Sequence, residues 1–360
     1  MIIGVDAGAL SISDERLKVG VWRVVFNLLR ELSHLDKENS YRLYSFRSIG
    51  REVMRYFGSN MQNIVLTPVT GWSSLRLPLE LFLRKPDVFL GLSQSLPASR
   101  SRTIGFIYDL GFLFRPDVYG SSAEKLAKQT KQLVDRADNI VTISQASRQD
   151  IMSCYHLTGD RVTSCYPGIS VIDSNRRIIR KRPYFLFVGS LNRAKDIPVA
   201  IEAFASFLKK TQKPYEFILA GGEYWPDPSI RAVIDLYGLQ KQVYKVGYVT
   251  DDVLAEYYRG AMALVATGFR EGFCLPAAEA MACGIPVLAI DRGSLKEVVG
   301  GGGIVVEKPE AELLADAMVR MTDRKIRGQF SRRAIALSKR YSWKTFAYNI
   351  YKIISMVPSS

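Results

Sequence analysis

The sequence predicts an α/β protein of two doubly wound, Rossmann-like domains, and three observations predict it. Short apolar runs alternate with helical patterns along most of the chain. The alternation halts at a basic segment, 171–182, and then restarts. The length of 360 residues also exceeds what one hydrophobic core usually serves.

In the first half, Ile2–Val5, Tyr41–Phe46, Asn63–Leu66, Val88–Gly91, Thr103–Tyr108, Asn139–Ile143 and Arg161–Cys165 read as strands. Lys18–Leu32, Ser122–Arg136 and Gln145–Cys154 are the clearest helices between them. Beyond the basic segment, Tyr184–Val188, Glu216–Ala220, Val243–Val246, Met262–Ala266, Pro286–Ile290 and Gly303–Val306 read as strands, each followed by a helix. The tail from Lys308 to Ile354 reads as wholly helical, and Trp343, Phe346, Tyr348, Ile350, Tyr351 and Ile354 give it an apolar surface near its end. The division that follows is a first domain over 1–170, a linker over 171–182 and a second domain over 183–341. A last helix, about 342–360, bridges back to the first domain.

Composition narrows the function classes. Apolar residues at 48% and charged residues at 23% are those of an ordinary globular chain, so disordered and low-complexity classes are excluded. No apolar run reaches the roughly eighteen residues of a membrane-spanning helix. The start lacks a basic segment and runs directly into a strand, so no signal peptide is expected and the cytoplasm is the expected location. Cys154, Cys165, Cys274 and Cys283 lack Cys-x-x-Cys spacing, and only His34 and His156 could join them, which argues against zinc. Buried thiols are the expectation, even for Cys274 beside a helix start. The net charge of +14 points to an anionic partner. Its densest cluster, Arg176, Arg177, Arg180, Lys181 and Arg182 with Ile178 and Ile179, suits a linker near phosphates or an anionic membrane surface; a merely solvated linker fits equally.

Ligands of open α/β sheets bind outside the carboxyl ends of strands, so the loops after strands carry the candidates. One such loop is Gly189-Ser190-Leu191-Asn192-Arg193-Ala194-Lys195. Gly189 permits close backbone approach, Lys195 offers a point charge to phosphate oxygens, and Arg193 can assist. The more specific one runs from Thr267 to Pro286. There Pro276 fits a first helical position, Gly284 lies just past the helix end, and Pro286 opens a strand. The backbone N–H groups near Phe273, Cys274 and Leu275, with the helix dipole, can receive diphosphate oxygens. Glu279, expected in the first helical turn, can reach ribose hydroxyls, and Glu271 in the preceding loop can reach a sugar. Either acid taken alone would equally serve to complement the helix dipole.

The Glu271–x7–Glu279 spacing, followed by Ala280-Met281-Ala282-Cys283-Gly284-Ile285-Pro286-Val287, resembles the signature of the retaining glycosyltransferases of family 4, and in particular bacterial surface-polysaccharide mannosyltransferases. Gly293-Ser294-Leu295-Lys296-Glu297-Val298 extends the resemblance. It implies the GT-B fold, two Rossmann-like domains facing a cleft, the second holding a nucleotide sugar and the first the acceptor. It implies that Glu279 binds ribose, Glu271 contacts the donor sugar, Lys195 contacts the diphosphate, and Gly272, Phe273 and Cys274 line the pocket by their backbones. In the first domain Lys18-Val19-Gly20-Val21-Trp22-Arg23 is similar to the family's glycine-bearing loop, with Trp22 where a second Gly is common. That places Gly20 and Arg23 at the cleft. Tyr108-Asp109 looks like the family's His-Asp dipeptide, with Tyr108 at the His position, and Ser144 matches a serine at a helix start. Ser190 stands where many members carry Arg.

The expected reaction is hexose transfer with retention, metal-independent and without a cofactor, from a nucleotide sugar (GDP-mannose in the first instance) to a polysaccharide or lipid-linked oligosaccharide. Nucleic acid is not an expected partner; an anionic membrane surface is. A nucleotide-sugar epimerase or phosphorylase on the same fold, or a sugar-nucleotide binding protein with weakened catalysis, remain alternatives.

Overall fold

A computed structural model describes residues 1–18, 20–170, 178, 180–224 and 226–356. Of the expected linker, Arg176, Arg177 and Ile179 lie outside the described residues, as does Val19 of the glycine-bearing loop. The chain divides into two units. One comprises Met1–Phe114, Gly120–Gly168 and Tyr341–Ser360, and the other Arg115–Tyr119 and Ile169–Arg340. The short Arg115–Tyr119 segment, which the sequence reading leaves inside the first domain, thus belongs with the second unit.

The first unit is built on a parallel sheet of β1 (Ile2–Asp6), β2 (Ser40–Ser45), β3 (Met61–Val65), β4 (Val88–Gly91), β5 (Arg102–Phe106), β6 (Asn139–Thr142) and β7 (Val162–Ser164). Their order is β3-β2-β1-β4-β5-β6-β7, so the order reverses between β1 and β4, which pair with Ile3 opposite Val88. The central strands β1, β4 and β5 are almost wholly buried because both faces of the sheet are covered there, as parallel sheets require. Helix Val21–Leu35 covers part of one face with the buried Val24, Val25, Leu28, Leu29 and Leu32, a helical stripe. Helix Trp343–Ser355 packs on Val21–Leu35, burying Trp343, Phe346, Ala347, Ile350 and Ile354.

The second unit repeats the plan with β8 (Tyr184–Val188), β9 (Glu216–Ala220), β10 (Val243–Gly247), β11 (Leu264–Ala266), β12 (Val287–Ile290) and β13 (Gly303–Val306). The order β10-β9-β8-β11-β12-β13 reverses between β8 and β11, which meet at Leu186 and Leu264. Its core includes an aromatic cluster in which Phe185 and Tyr215 both stand edge-on to Phe207, with ring centroids 5.2 and 4.8 Å apart. Phe204 packs on Phe217 at 5.5 Å. The tail is not one helix. The Asp323 carboxylate accepts the Lys325 and Ile326 N–H groups, and the Ser342 hydroxyl accepts that of Thr345, so each opens a new helix after Ala311–Arg320.

The docking of the terminal helix leaves no room at Gly168, where an added Cβ would lie 2.1 Å from the Trp343 nitrogen and 2.4 Å from its Cγ. Gly168→Ala should therefore cost about 3 kcal/mol of stability, the upper range for overpacking a close contact. A urea midpoint equal to that of the native chain would show that this contact constrains nothing.

Candidate functional site

In the second unit, three loops converge where the strand order reverses. The loop after β8 begins at Gly189, whose φ of +146° and close neighbour Gly221 let two strand ends cross; a Cβ on Gly221 would sit 1.9 Å from the Gly189 carbonyl oxygen. The chain then passes Ser190, forms a tight turn over Arg193–Lys195, and enters helix Ile197–Thr211 through Asp196. The loop after β11 runs from Thr267 to Cys274, and the loop after β12 supplies Arg292, Gly293 and Ser294.

These loops are laced together. The Thr267 hydroxyl donates to the Lys195 carbonyl at 2.8 Å, and the Phe269 N–H to the Ala194 carbonyl at 3.0 Å. Arg292 donates to Asp196 Oδ2 at 2.6 Å and to the Thr267 carbonyl at 3.1 Å. The Phe269 ring lies between two guanidinium groups, that of Arg115 at 3.9 Å and that of Arg292 at 4.8 Å. Ser294 N–H reaches the Glu271 carbonyl at 3.0 Å. The result brings Lys195 Nζ to 2.7 and 3.0 Å from the two Glu271 carboxylate oxygens, although 76 positions separate the residues in the chain. Both side chains remain partly accessible.

Beside this pair stands the start of helix Leu275–Ala282. Cys274 holds its N-cap position with φ +68°, and its own side chain makes no capping hydrogen bond. Phe273 is buried and anchors the loop. The Cys274 thiol is pushed up to about 12 by burial, reinforced by the charge of Glu271 and opposed by Lys195, so it is a packed thiol and not a nucleophile. Glu279 is buried, and the Tyr258 hydroxyl donates to its Oε2 at 3.0 Å.

The first unit carries a cavity of about 400 Å³ at its own reversal of strand order. Asp6 at the end of β1 lines it with Trp22, Phe46, Trp72, Ser93 and Ser95. Burial raises the pKa of Asp6; hydrogen bonds from the Ser93 side chain and the Gly8 N–H oppose the rise. The indole N–H groups of Trp22 and Trp72 are buried without a hydrogen-bond partner in the structure. Trp22 stacks on Phe26 with centroids 5.0 Å apart, and the Lys18 ammonium lies 5.4 Å from the Trp22 ring.

Residues 171–336 match the family model of glycosyl transferases group 1. Across 286 residues the chain is 26% identical to O-antigen chain mannosyltransferase B of Escherichia coli, covering 75% of each protein. It is 27% identical over 232 residues to the serotype-specific mannosyltransferase WbdA of the same species, a match that covers 59% of this chain and 28% of that longer one. The structure superposes on Anabaena Alr3699/HepE in complex with UDP-glucose with a TM-score of 0.74, 17% identity and 99% coverage of both chains. The two sheets are thus those of the GT-B fold.

Within the second unit the structure brings together Lys195, Glu271 and the start of the helix that leads to Glu279. It places Glu279 in the second helical turn and not the first, because the helix begins at Leu275. Gly272, Phe273, Cys274 and Leu275 form the approach to that helix, and Gly189 and Ser190 the neighbouring strand end. Arg193 is exposed and has no ion pair among the described residues. Sequence reasoning did not single out Arg292, Asp196, Thr267 or Tyr258, which brace the site.

In the first unit the residues that the resemblance places at the cleft lie as follows. The Tyr108 ring, at the position the resemblance gives to a histidine, is buried, and its hydroxyl donates to the Leu92 carbonyl at 2.8 Å. Burial and the neighbouring Asp6 hold that hydroxyl well above its usual pKa. Asp109 Oδ1 accepts the Gly111 N–H at 2.9 Å, and Ser144, fully buried, caps helix Gln145–Tyr155 by accepting from Ser147 N–H at 3.0 Å. Gly20 starts helix Val21–Leu35 with φ +49° and open space around it, and the Arg23 carbonyl accepts from Asn27. Gln94, which the sequence did not flag, ties these strand ends together. Its Oε1 accepts the Tyr108 N–H, and its Nε2 donates to the Asp109 carbonyl and the Thr130 hydroxyl.

Removing the buried Tyr108 hydroxyl orphans the Leu92 carbonyl, so Tyr108→Phe should lower stability by about 1–3 kcal/mol. Chemical denaturation measures this; a midpoint unchanged from the native chain would return Tyr108 to the role of a group held in reserve for a ligand.

Proposed function

We propose that the chain is a retaining hexosyltransferase that moves mannose from GDP-mannose to a growing polysaccharide or lipid-linked oligosaccharide. The observation that carries this is the Lys195–Glu271 pair beside the start of helix Leu275–Ala282. A cation and a helix N-terminus side by side suit a diphosphate. On this reading the phosphates take Lys195 from Glu271, and the released carboxylate accepts hydroxyls of the sugar. Glu279, oriented by Tyr258, receives the ribose.

The relatives named as mannosyltransferases support mannose as the sugar, and the UDP-glucose complex of the Anabaena structure supports a nucleotide-sugar donor. The cavity of the first unit suits a saccharide acceptor. Its aromatic faces can meet the C–H faces of sugar rings, Asp6 and the serines can meet hydroxyls, and two indole donors lack partners. In the same-face substitution we favour, the leaving diphosphate helps deprotonate the acceptor, and the protein positions the reactants and stabilises the developing phosphate charge, with no metal or cofactor required. The place of action in this proposal is the cytoplasmic face of the plasma membrane, where lipid-linked acceptors are reached.

A second reading is a sugar-nucleotide binding protein without turnover. One observation favours it: the position that the family resemblance gives to a histidine holds a tyrosine whose hydroxyl is committed to Leu92.

Titration calorimetry with GDP-mannose and UDP-glucose, followed by a transfer assay on mannose-terminated acceptors, separates the readings. GDP-mannose should bind, Glu279→Ala should weaken it by about 1–3 kcal/mol, and mannose should appear on the acceptor. Failure of every sugar nucleotide to bind would remove the donor site. Binding without transfer would establish the second reading, and tighter binding of UDP-glucose would refute the choice of donor.

A further inference from the structure

The segment Trp72–Leu83 is apolar on two sides. Its inner side, Trp72, Leu77 and Leu81, is buried with Glu80. Its outer side presents Leu75, Leu79, Phe82 and Leu83 at 71%, 48%, 55% and 67% exposure. Leu79, Phe82 and Leu83, three and four residues apart, share one stripe of the helix Leu77–Leu83, and Leu75 lies in the π-helical turn Trp72–Arg76 that leads into it. Four large exposed apolar groups so close in the chain are of the kind that marks an interaction surface, whereas single exposed apolar residues need no explanation.

The charges around the stripe select the partner. Arg84 and Lys85 follow the helix and are exposed, and the Arg100 guanidinium stands 4.3 Å from the Phe82 ring. The hydroxyl of Ser101 donates to the Pro86 carbonyl at 2.7 Å, which holds the Arg100 loop against the end of the helix. The acid of the segment, Glu80, is turned inward, where Arg76 and Arg84 meet it at 3.1 and 3.3 Å. Apolar side chains flanked by long cations match the layered chemistry of an anionic bilayer surface. Leucine and phenylalanine enter the acyl boundary while arginine and lysine reach up to phosphates. Among the described residues no helix is long and apolar enough to cross a membrane, so the contact is one of lying on the surface.

We infer that the Leu75–Leu83 patch, with Arg84, Lys85 and Arg100 at its end, seats the first unit on an anionic lipid surface. This inference does not rest on the transferase reading, since it needs neither donor nor acceptor.

Co-sedimentation of the full chain with phosphatidylcholine vesicles, and with vesicles enriched in phosphatidylglycerol, tests it. The native chain should favour the anionic vesicles by on the order of tenfold, and salt should reduce the difference. A variant carrying Leu79→Ser, Phe82→Ser and Leu83→Ser should lose on the order of tenfold or more of that binding. A second variant, Lys85→Glu with Arg100→Glu, which leaves the Arg84–Glu80 pair intact, should lose the preference for anionic lipid while keeping a native melting curve, and it guards against misfolding of the first. Equal binding to neutral and anionic vesicles overturns the inference, as does native-like binding by both variants, which would move the contact to another basic segment. Absence of vesicle binding, combined with light scattering that shows a dimer dissolved by the serine variant, also overturns it and makes the stripe a face for a second copy of the chain.

Discussion

The reversal of strand order between β8 and β11 is the constraint on which the second unit's chemistry depends. Right-handed crossovers send the connection after β8 toward β9 and the connection after β11 toward β12, so the two helices leave on opposite sides and a crevice opens between adjacent strand ends. Two loops far apart in sequence must then share the same few ångströms. That crowding extends to the next loop, where Gly293, with φ +57°, sits where a Cβ would meet the Glu271 backbone at 2.6 and 2.8 Å. Lys195 and Glu271 meet because the sheet leaves them nowhere else to go. The first unit reproduces the arrangement between β1 and β4, and its cavity opens at the same kind of place.

The bracing around the crevice has its own logic. A loop that must present polar groups to a ligand cannot be fixed by burying those groups, so it is fixed by others. Arg292 ties Asp196 to the Thr267 carbonyl, Thr267 in turn holds the Lys195 backbone, and Phe269 is clasped between two guanidinium groups. A planar guanidinium does this better than lysine could, because its geometry is rigid and it stacks on aromatic faces. The residues meant for a ligand are thereby positioned by residues that would not touch it.

How much of this was legible in the sequence follows from whether the signal was local. The helix over Leu275–Ala282 announced itself through Pro276 and Gly284, and with it the placing of Glu271 and Cys274 before its start. Lys195 was legible as a cation just past a strand. Arg292, Asp196, Tyr258 and Gln94 were not, because each acts through a partner that only the fold supplies: Asp196 and Arg292 are 96 positions apart, and Tyr258 and Glu279 are 21. Tyr108 shows the opposite error. The resemblance placed it where the family carries a histidine, whereas in the structure its hydroxyl answers a backbone carbonyl sixteen residues earlier. The helical tail was overextended for a local reason, since Asp323 and Ser342 are ordinary polar residues until their side chains cap a helix. The Leu75–Leu83 patch was illegible for a different one: a helix apolar on both sides gives no sequence cue as to which side faces inward.

The Lys195–Glu271 pair also bears on how such a site can discriminate. A partly buried ion pair gains from its geometry, but separating it without a substitute leaves two poorly solvated charges. A neutral sugar can satisfy Glu271 through its hydroxyls, yet it offers Lys195 nothing in exchange, so the pair resists it. A diphosphate offers Lys195 a stronger partner than one carboxylate, and the adjacent helix start adds to the attraction. Only a ligand that joins the two chemistries, phosphate for the cation and hydroxyls for the acid, can open the pair without leaving either charge stranded.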